Sequence, residues 1–270
     1  MLACAAAALS GGCVHFGAEN PAIAISSLEA AHLLREMECD PKPLARPVVV
    51  LNGYHMGGLY TDALRSNLRD ATSGAPGDFL MVSYPLSFSI EDAAEDAVAE
   101  IERRWPSGDP GQTVEVDVVG VSMGGIVARW AALPVEERLA VMGGTGRVPP
   151  RLRIKRLFTL ATPHRGARLA EVFPADTAAA QMRAGSSMLT RLDAALANAE
   201  YELVCYGQLR DLTVGVLRTA PEGRGLIWTG GTLLFSHMMI VDNTIVMADI
   251  ARRLRGETPI AEPGPMPSED

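Results

Sequence analysis

The sequence predicts an α/β domain built on a mostly parallel sheet of about six strands, with helices on both faces and a small helical cap. Three observations carry this. Short apolar runs alternate with helical patterns along most of the chain. The runs are apolar throughout rather than at every second residue, as strands buried on both faces require. One stretch, Arg165 to Ala199, breaks the alternation: it is Ala-rich, helical in pattern and holds no strand. It is longer than a simple connection needs and reads as a cap over the carboxyl ends of the strands, where open sheets of this kind carry their sites.

The elements follow in order. Ser26 to Glu38 reads as a helix ahead of the sheet. Pro47 to Leu51 (PVVVL) is a buried strand, and Thr61 to Ala71 a helix with Leu64 and Leu68 one turn apart. Asp78 to Tyr84 is the second strand. Ser89 to Trp105 is a helix that Ser89 and Asp92 cap and Pro106 ends. Thr113 to Val121 is the third strand, followed by a helix from Met123 to Leu133 that Pro134 closes. Lys155 to Ala161, Tyr201 to Tyr206 and Gly225 to Thr229 complete the strands, and Met238 to Leu254 reads as one final helix. Pro259 to Pro267 is Pro-rich and predicted to be unstructured. The organisation expected is a leader over 1–20, one domain over 21–255 with its cap at about 165–200, and a tail over 256–270.

The 270 residues are 48% hydrophobic, enough for one large core, and carry a formal net charge of -8. Half of that excess lies in the tail, where Glu257, Glu262, Glu269 and Asp270 meet no Lys or Arg. Such a balance excludes a basic nucleic-acid footprint. Leu2 to Val14 is a thirteen-residue run of small and apolar residues. That is too short for a bilayer span, which needs roughly 20 residues, and resembles the apolar region of a secretory signal. Within it Leu9 to Cys13 resembles a lipobox, with Leu one place too far from the cysteine; a lipidated Cys13 would tie the chain to a membrane surface. The expected setting is the cell envelope or the exterior, and the cytoplasm if the leader reading fails. Of the four cysteines, Cys4 and Cys13 fall in this leader. Cys39 and Cys205 would be able to pair in an exported protein, although the apolar run around Cys205 favours a buried free thiol. No Cys/His spacing points to a metal.

The chemistry concentrates at Gly120-Val121-Ser122-Met123-Gly124, a GxSxG that follows a strand and opens a helix. A tight strand-to-helix turn projects the Ser122 hydroxyl at the strand tip. A serine hydroxyl is a weak nucleophile that needs a base, and the base needs an orienting acid. Where the serine stands in such a turn, the acid and then the histidine follow it in the chain. Of five histidines only His164 and His237 come later. His237 stands between the last strand and the last helix; His164 follows the fourth strand and reads as a loop histidine shaping the site floor. Asp211, which ends the next-to-last strand, is the first candidate acid, with Asp176 and Asp242 behind it. A tetrahedral intermediate needs two backbone donors. Met123, at the start of the helix, supplies one. The loop Asn52 to Gly58 after the first strand supplies the other, with Tyr54 the chosen residue.

These motifs resemble the α/β-hydrolase lipases and esterases, in particular the bacterial triacylglycerol-lipase-like branch, over roughly Pro47 to Leu254. The family's His-Gly oxyanion loop stands here as Asn52-Gly53, its GxSxG as Gly120 to Gly124, its Thr-Pro-His-x-Gly as Thr162 to Gly166, its Asp-x-x-Val as Asp211 to Val214, and its histidine segment as Ser236 to Asp242. Asn replaces the family's His, and no pair of strands precedes Val48, which implies the smaller six-stranded form. The resemblance implies a triad of Ser122, Asp211 and His237 cleaving carboxylic esters through an acyl-enzyme, with no cofactor and a small ester or lipid as substrate. An acyltransferase or thioesterase on the same triad, or a binding protein on a hydrolase scaffold, stands as the alternative. In the cap, Met182, Met188, Leu189 and Leu192 suit an acyl chain or pack the cap against the body.

Overall fold

The apolar runs are consecutive valines and leucines, and they pair with one another rather than with water. The computed structural model describes residues 20–55, 59–72, 75, 77–143, 148–232 and 235–267. The leader reading, with Cys4, Cys13 and His15, falls outside them. In chain order the elements are α1 (Ser27–Cys39), β1 (Val48–Leu51), α2 (Leu59–Asp70), β2 (Phe79–Val82), α3 (Ile90–Arg104), β3 (Val116–Val121), α4 (Met123–Ala131), α5 (Val135–Val141), β4 (Ile154–Leu160), α6 (Arg168–Val172), α7 (Thr177–Gln181), α8 (Ser187–Ala195), β5 (Glu202–Gln208), β6 (Ile227–Thr229), α9 (Ser236–Met239) and α10 (Thr244–Leu254).

The six strands form one sheet in the order β2-β1-β3-β4-β5-β6, and every pair is parallel. Every residue of β1 and β3 is buried. Side chains alternate between the two faces. Val49, Leu51, Val116 and Val118 join a core with α3, α4 and the 165–199 segment. Val48, Val50, Val119 and Val121 join a second core with α2 and α10. Two covered faces are what a parallel sheet of continuous apolar strands demands.

Helix starts follow local chemistry. Ser26 and Glu29 form a reciprocal capping box on α1. Ser89 caps α3 by accepting the Asp92 N–H at 3.1 Å, and α3 buries Ile90, Ala93, Ala94, Ala97, Val98 and Ile101, one stripe at helical spacing. The chain resumes as α5 directly after Pro134, which sits at that helix's N-cap with φ −50°. Proline's fixed φ suits a helix start as well as a helix end.

Two expectations are corrected. The final helix is not continuous: α9 runs into a 3-10 turn over Ile240–Asp242, and α10 begins after Asn243. The Asn243 side chain accepts the N–H groups of Ile245 and Val246 and so starts a new helix. The tail is not unstructured as far as residue 267. Asp249, fully buried on α10, accepts the N–H groups of Ile260 and Ala261 at 2.8 and 3.0 Å, the Tyr206 hydroxyl at 2.6 Å and Arg253 Nε at 2.8 Å. Trp228 Nε1–H donates to the Pro265 carbonyl at 2.8 Å, and Ala261 bridges Ile23. A buried carboxylate must find donors, and the tail's backbone supplies two of them. Cys39 is exposed and Cys205 buried, both as free thiols, and burial pushes the Cys205 thiol up to about 11.

The 165–199 segment folds as α6, α7, α8 and a 3-10 turn. Leu169 N–H donates to Thr213 O at 2.9 Å and Ala178 N–H to Phe88 O at 2.7 Å. Those partners lie in the loops after β5 and β2, so the segment sits at the carboxyl end of the sheet. Met182, Met188, Leu189 and Leu192 are at most 6% exposed and belong to the core shared with α3 and α4. They are the seam between this segment and the body.

Candidate active site

Ser122 stands in the turn between β3 and α4 with φ 51° and ψ −120°. A non-glycine residue held there costs on the order of 1–3 kcal/mol and persists only where its surroundings over-determine it. Those surroundings are close-packed backbone and threonine side chains. A Cβ on Gly124 would stand 2.2 Å from the Leu51 carbonyl oxygen, and one on Gly125 would stand 2.3 Å from Thr162 Oγ1. The glycines let α4 press against the ends of β1 and β4, and the turn is fixed between them. Ser122 N–H donates to Leu160 O at 2.8 Å, which adds β4 to the clamp.

The structure brings Ser122, His237 and Asp211 into one hydrogen-bonded line. His237 Nε2 lies 3.0 Å from Ser122 Oγ, and His237 Nδ1 lies 2.8 Å from Asp211 Oδ2. Asp211 is fully buried, and its other oxygen accepts the N–H groups of Thr213 and Val214, both at 2.9 Å. Those two bonds fix the carboxylate's orientation. An ionised carboxylate only accepts, so Nδ1 carries the ring proton and Nε2 presents its lone pair to the serine hydroxyl. Each member comes from a different segment: Ser122 after β3, Asp211 after β5, and His237 on α9 after β6.

The surroundings suit a developing oxyanion. Ser122 is the N-cap of α4 and makes no side-chain capping bond, so its hydroxyl does not occupy the helix's first N–H groups, beginning with Met123. The loop after β1 abuts the same turn, since a Cβ on Gly124 would also stand 2.9 Å from Asn52 O. Asn52, fully buried, is held on three sides: its amide donates to Ser83, its side-chain oxygen accepts from Thr61, and its carbonyl accepts from Tyr84. The residue that departs from the family's His thus anchors the loop that carries Tyr54. Met56, Gly57 and Gly58 lie outside the described residues.

The other candidates do other work. Asp176 caps α7 through Ala179 N–H at 2.8 Å and bonds to Tyr54 and His55 rather than to His237. Asp242 is exposed in the 3-10 turn. His164 is wholly buried: Arg129 Nη1 donates to its Nδ1 at 2.9 Å, which leaves Nε2–H to donate to Thr159 Oγ1 at 3.1 Å. Arg129 Nη2 continues to Leu192 O at 2.7 Å and Asp193 Oδ1 at 3.0 Å, so this buried guanidinium ties α4 to α8. Nothing in the sequence flags Arg129, because its partners are 35 to 64 residues away. Among the described residues no group of three or more His, Cys, Asp or Glu is placed to hold a metal.

Burial first, and the Arg129 charge second, hold the His164 imidazole well below its ordinary value of 6.5. Below pH 6.5 the unfolded chain therefore binds a proton that the folded chain refuses, and stability falls as the pH falls; above 6.5 this group has no effect. The expected contribution is about 1.4 kcal/mol per pH unit below that point. Urea unfolding of wild type and His164→Gln between pH 7 and 5 checks it: the variant should show the shallower slope, whatever its absolute stability.

The sequence matches no family model and no curated protein. Solved structures do resemble it. The mature form of the Bacillus licheniformis lipase BlEst2 superposes with a TM-score of 0.54 at 13% identity, over 79% of this chain and 94% of that one. A protein from Lactobacillus plantarum assigned as a cell surface hydrolase superposes with a TM-score of 0.50 at 14% identity, over 80% of this chain and 94% of that one. Likeness at such identity speaks for architecture alone. With its six-stranded parallel sheet, its helices on both faces and these structural neighbours, the chain has the α/β-hydrolase fold.

Proposed function

We propose that this chain is a serine hydrolase of carboxylic esters. The observation that carries the reading is the line Ser122–His237–Asp211, with spacings of 3.0 and 2.8 Å, at the carboxyl end of the sheet. Ser122 Oγ attacks the acyl carbonyl while His237 Nε2 takes its proton. Asp211 holds the ring in that tautomer and stabilises the imidazolium. The N–H groups of Met123 and Tyr54 bind the oxyanion. The intermediate collapses, His237 returns the proton to the leaving alkoxide, and an acyl-serine remains. Water, deprotonated by His237, then releases the carboxylic acid. The reaction needs no cofactor.

Exposed apolar side chains in the connections after the strands support an acyl or lipid ester. Leu86, Leu169, Val172, Phe173, Leu212 and Phe235 are each more than half exposed. All lie in segments that follow the carboxyl ends of β2, β4, β5 and β6, around the end of the sheet that carries Ser122. Exposed apolar residues gathered on one end of a protein mark a place where apolar matter binds. The solved neighbour from Bacillus licheniformis is a lipase, which agrees with this reading. An envelope or extracellular setting, expected from the leader-like start, belongs to the same proposal.

Nitrophenyl esters from acetate to palmitate test it, with a fluorophosphonate probe in parallel. Hydrolysis that peaks beyond acetate, with Ser122 as the labelled residue, is expected. No hydrolysis of any chain length and no labelling of Ser122 would sink the reading.

A further inference from the structure

We propose that Asp176, on the helical segment over the site, is a positioning residue that holds the Tyr54 loop in its donor geometry. The inference rests on the ester-hydrolase reading and adds to it a residue that touches neither substrate nor Ser122. Asp176 uses both carboxylate oxygens. Oδ1 accepts Ala179 N–H at 2.8 Å and starts α7. Oδ2 accepts the Tyr54 hydroxyl at 2.9 Å and lies 3.1 Å from His55 Nε2. One side chain thus joins α7 to two consecutive residues of the loop after β1, across 121 and 122 positions of sequence.

That loop needs holding. His55 has φ 47°, a left-handed conformation that favours glycine. Its ring is gripped at both nitrogens, with Nδ1 3.1 Å from the Pro85 carbonyl oxygen and Nε2 against Asp176. Both ring nitrogens thus face acceptors, and the ring bridges the loop after β2 to the Asp176 carboxylate. The Tyr54 ring packs edge-on against His55 with centroids 4.2 Å apart, and Phe88 lies 5.7 Å beyond. Burial works against the Asp176 charge. The bonds from Ala179, His55 and Tyr54 outweigh it and leave the carboxyl below its usual range.

The strut is itself anchored. Ala178 N–H donates to Phe88 O at 2.7 Å, and Gln181 reaches Ile90 N–H at 2.8 Å and Glu91 at 2.6 Å. α7 is therefore fixed to the start of α3, and Asp176 passes that fixity to Tyr54. A donor held in place before the reaction costs no reorganisation when the oxyanion forms.

Asp176→Ser separates this role from helix capping. Serine is a good N-cap, but its single short hydroxyl cannot also reach Tyr54 and His55. The expected result on nitrophenyl esters is a kcat about tenfold lower, with KM unchanged within about twofold, in a protein that still unfolds cooperatively. That loss is smaller than the 100-fold or more that follows removal of an oxyanion donor, because the N–H is loosened and not deleted. Tyr54→Phe removes one hydroxyl and leaves the backbone donor in place. It should also lower kcat, and the double variant should be no worse than Asp176→Ser alone. Wild-type kcat in Asp176→Ser, a loss confined to KM, or losses that multiply in the double variant overturn the inference while the ester reading stands. If Asp176→Ser proves too unstable to assay, Tyr54→Phe decides alone: full kcat overturns the inference. A wild type that cleaves no ester and takes no label at Ser122 overturns both.

Discussion

Ser122→Ala should lower kcat/KM for ester hydrolysis by a factor on the order of 10⁴ to 10⁶ without unfolding the protein. In the proposed mechanism the Ser122 hydroxyl attacks, and without it His237 Nε2, which faces Ser122 Oγ at 3.0 Å, would be left with only water to activate. Some catalysis over the bulk reaction would persist, because the backbone donors at Met123 and Tyr54 survive the change. Alanine inherits the strained φ of 51°, so its folding stability should match wild type within about 0.5 kcal/mol. Glycine at the same place escapes the strain, so Ser122→Gly should be equally inactive yet more stable by about 1 kcal/mol. Ester kinetics and urea unfolding of the three proteins check both halves. An alanine variant that keeps more than about a hundredth of the activity would remove Ser122 from the mechanism, because losses of that kind run to 10⁴ or more.

Asp211→Asn should cost about 10⁴ in kcat while leaving the fold intact, a loss of the kind that follows a wrong histidine tautomer. Asp211 Oδ1 accepts two backbone N–H groups, from Thr213 and Val214, at 2.9 Å. An asparagine must keep its oxygen on those donors, which turns its NH₂ toward His237 Nδ1. Two donors cannot share that 2.8 Å contact, so the imidazole moves its proton to Nε2. The ring then offers Ser122 a hydrogen instead of a lone pair and cannot take the serine's proton. Because the Asn amide still satisfies the loop, thermal unfolding should move little, which separates lost chemistry from lost structure. Full activity in Asp211→Asn would show that His237 finds its tautomer without this partner.

The fold was legible because its signals are local and redundant. PVVVL and TVEVDVVGV are apolar on both faces, and only a sheet covered on both sides accommodates such runs. The adjacency of Ser122, Asp211 and His237 was readable from a serine in a strand-to-helix turn and from chain order. What was missed lies in side chains whose hydrogen-bond partners no apolar pattern announces. Asn243 splits the last helix because its side chain competes with the backbone as a cap, and a periodicity count passes over that. The tail looked like a loop by composition, but the fully buried Asp249 needs donors, and Ile260 and Ala261 bring them. Asp176 was weighed as an acid for His237. The structure spends it on Tyr54 and His55, residues more than a hundred positions away.

The strand order also bears on when the chain becomes chemically competent during its synthesis. All five pairings in β2-β1-β3-β4-β5-β6 are parallel, so each closes through a crossover and none through a hairpin. The backbone around Ser122 is clamped only after β1 and β4 flank it, through Leu51 and Thr162. His237 is added 115 residues after Ser122. At roughly 5–20 residues per second, a ribosome takes about 6 to 23 s to cover that interval. Throughout it the nascent chain carries a serine with no base beside it. In the proposed mechanism the site is complete only once α9 docks, so fragments that end before His237 should cleave no ester.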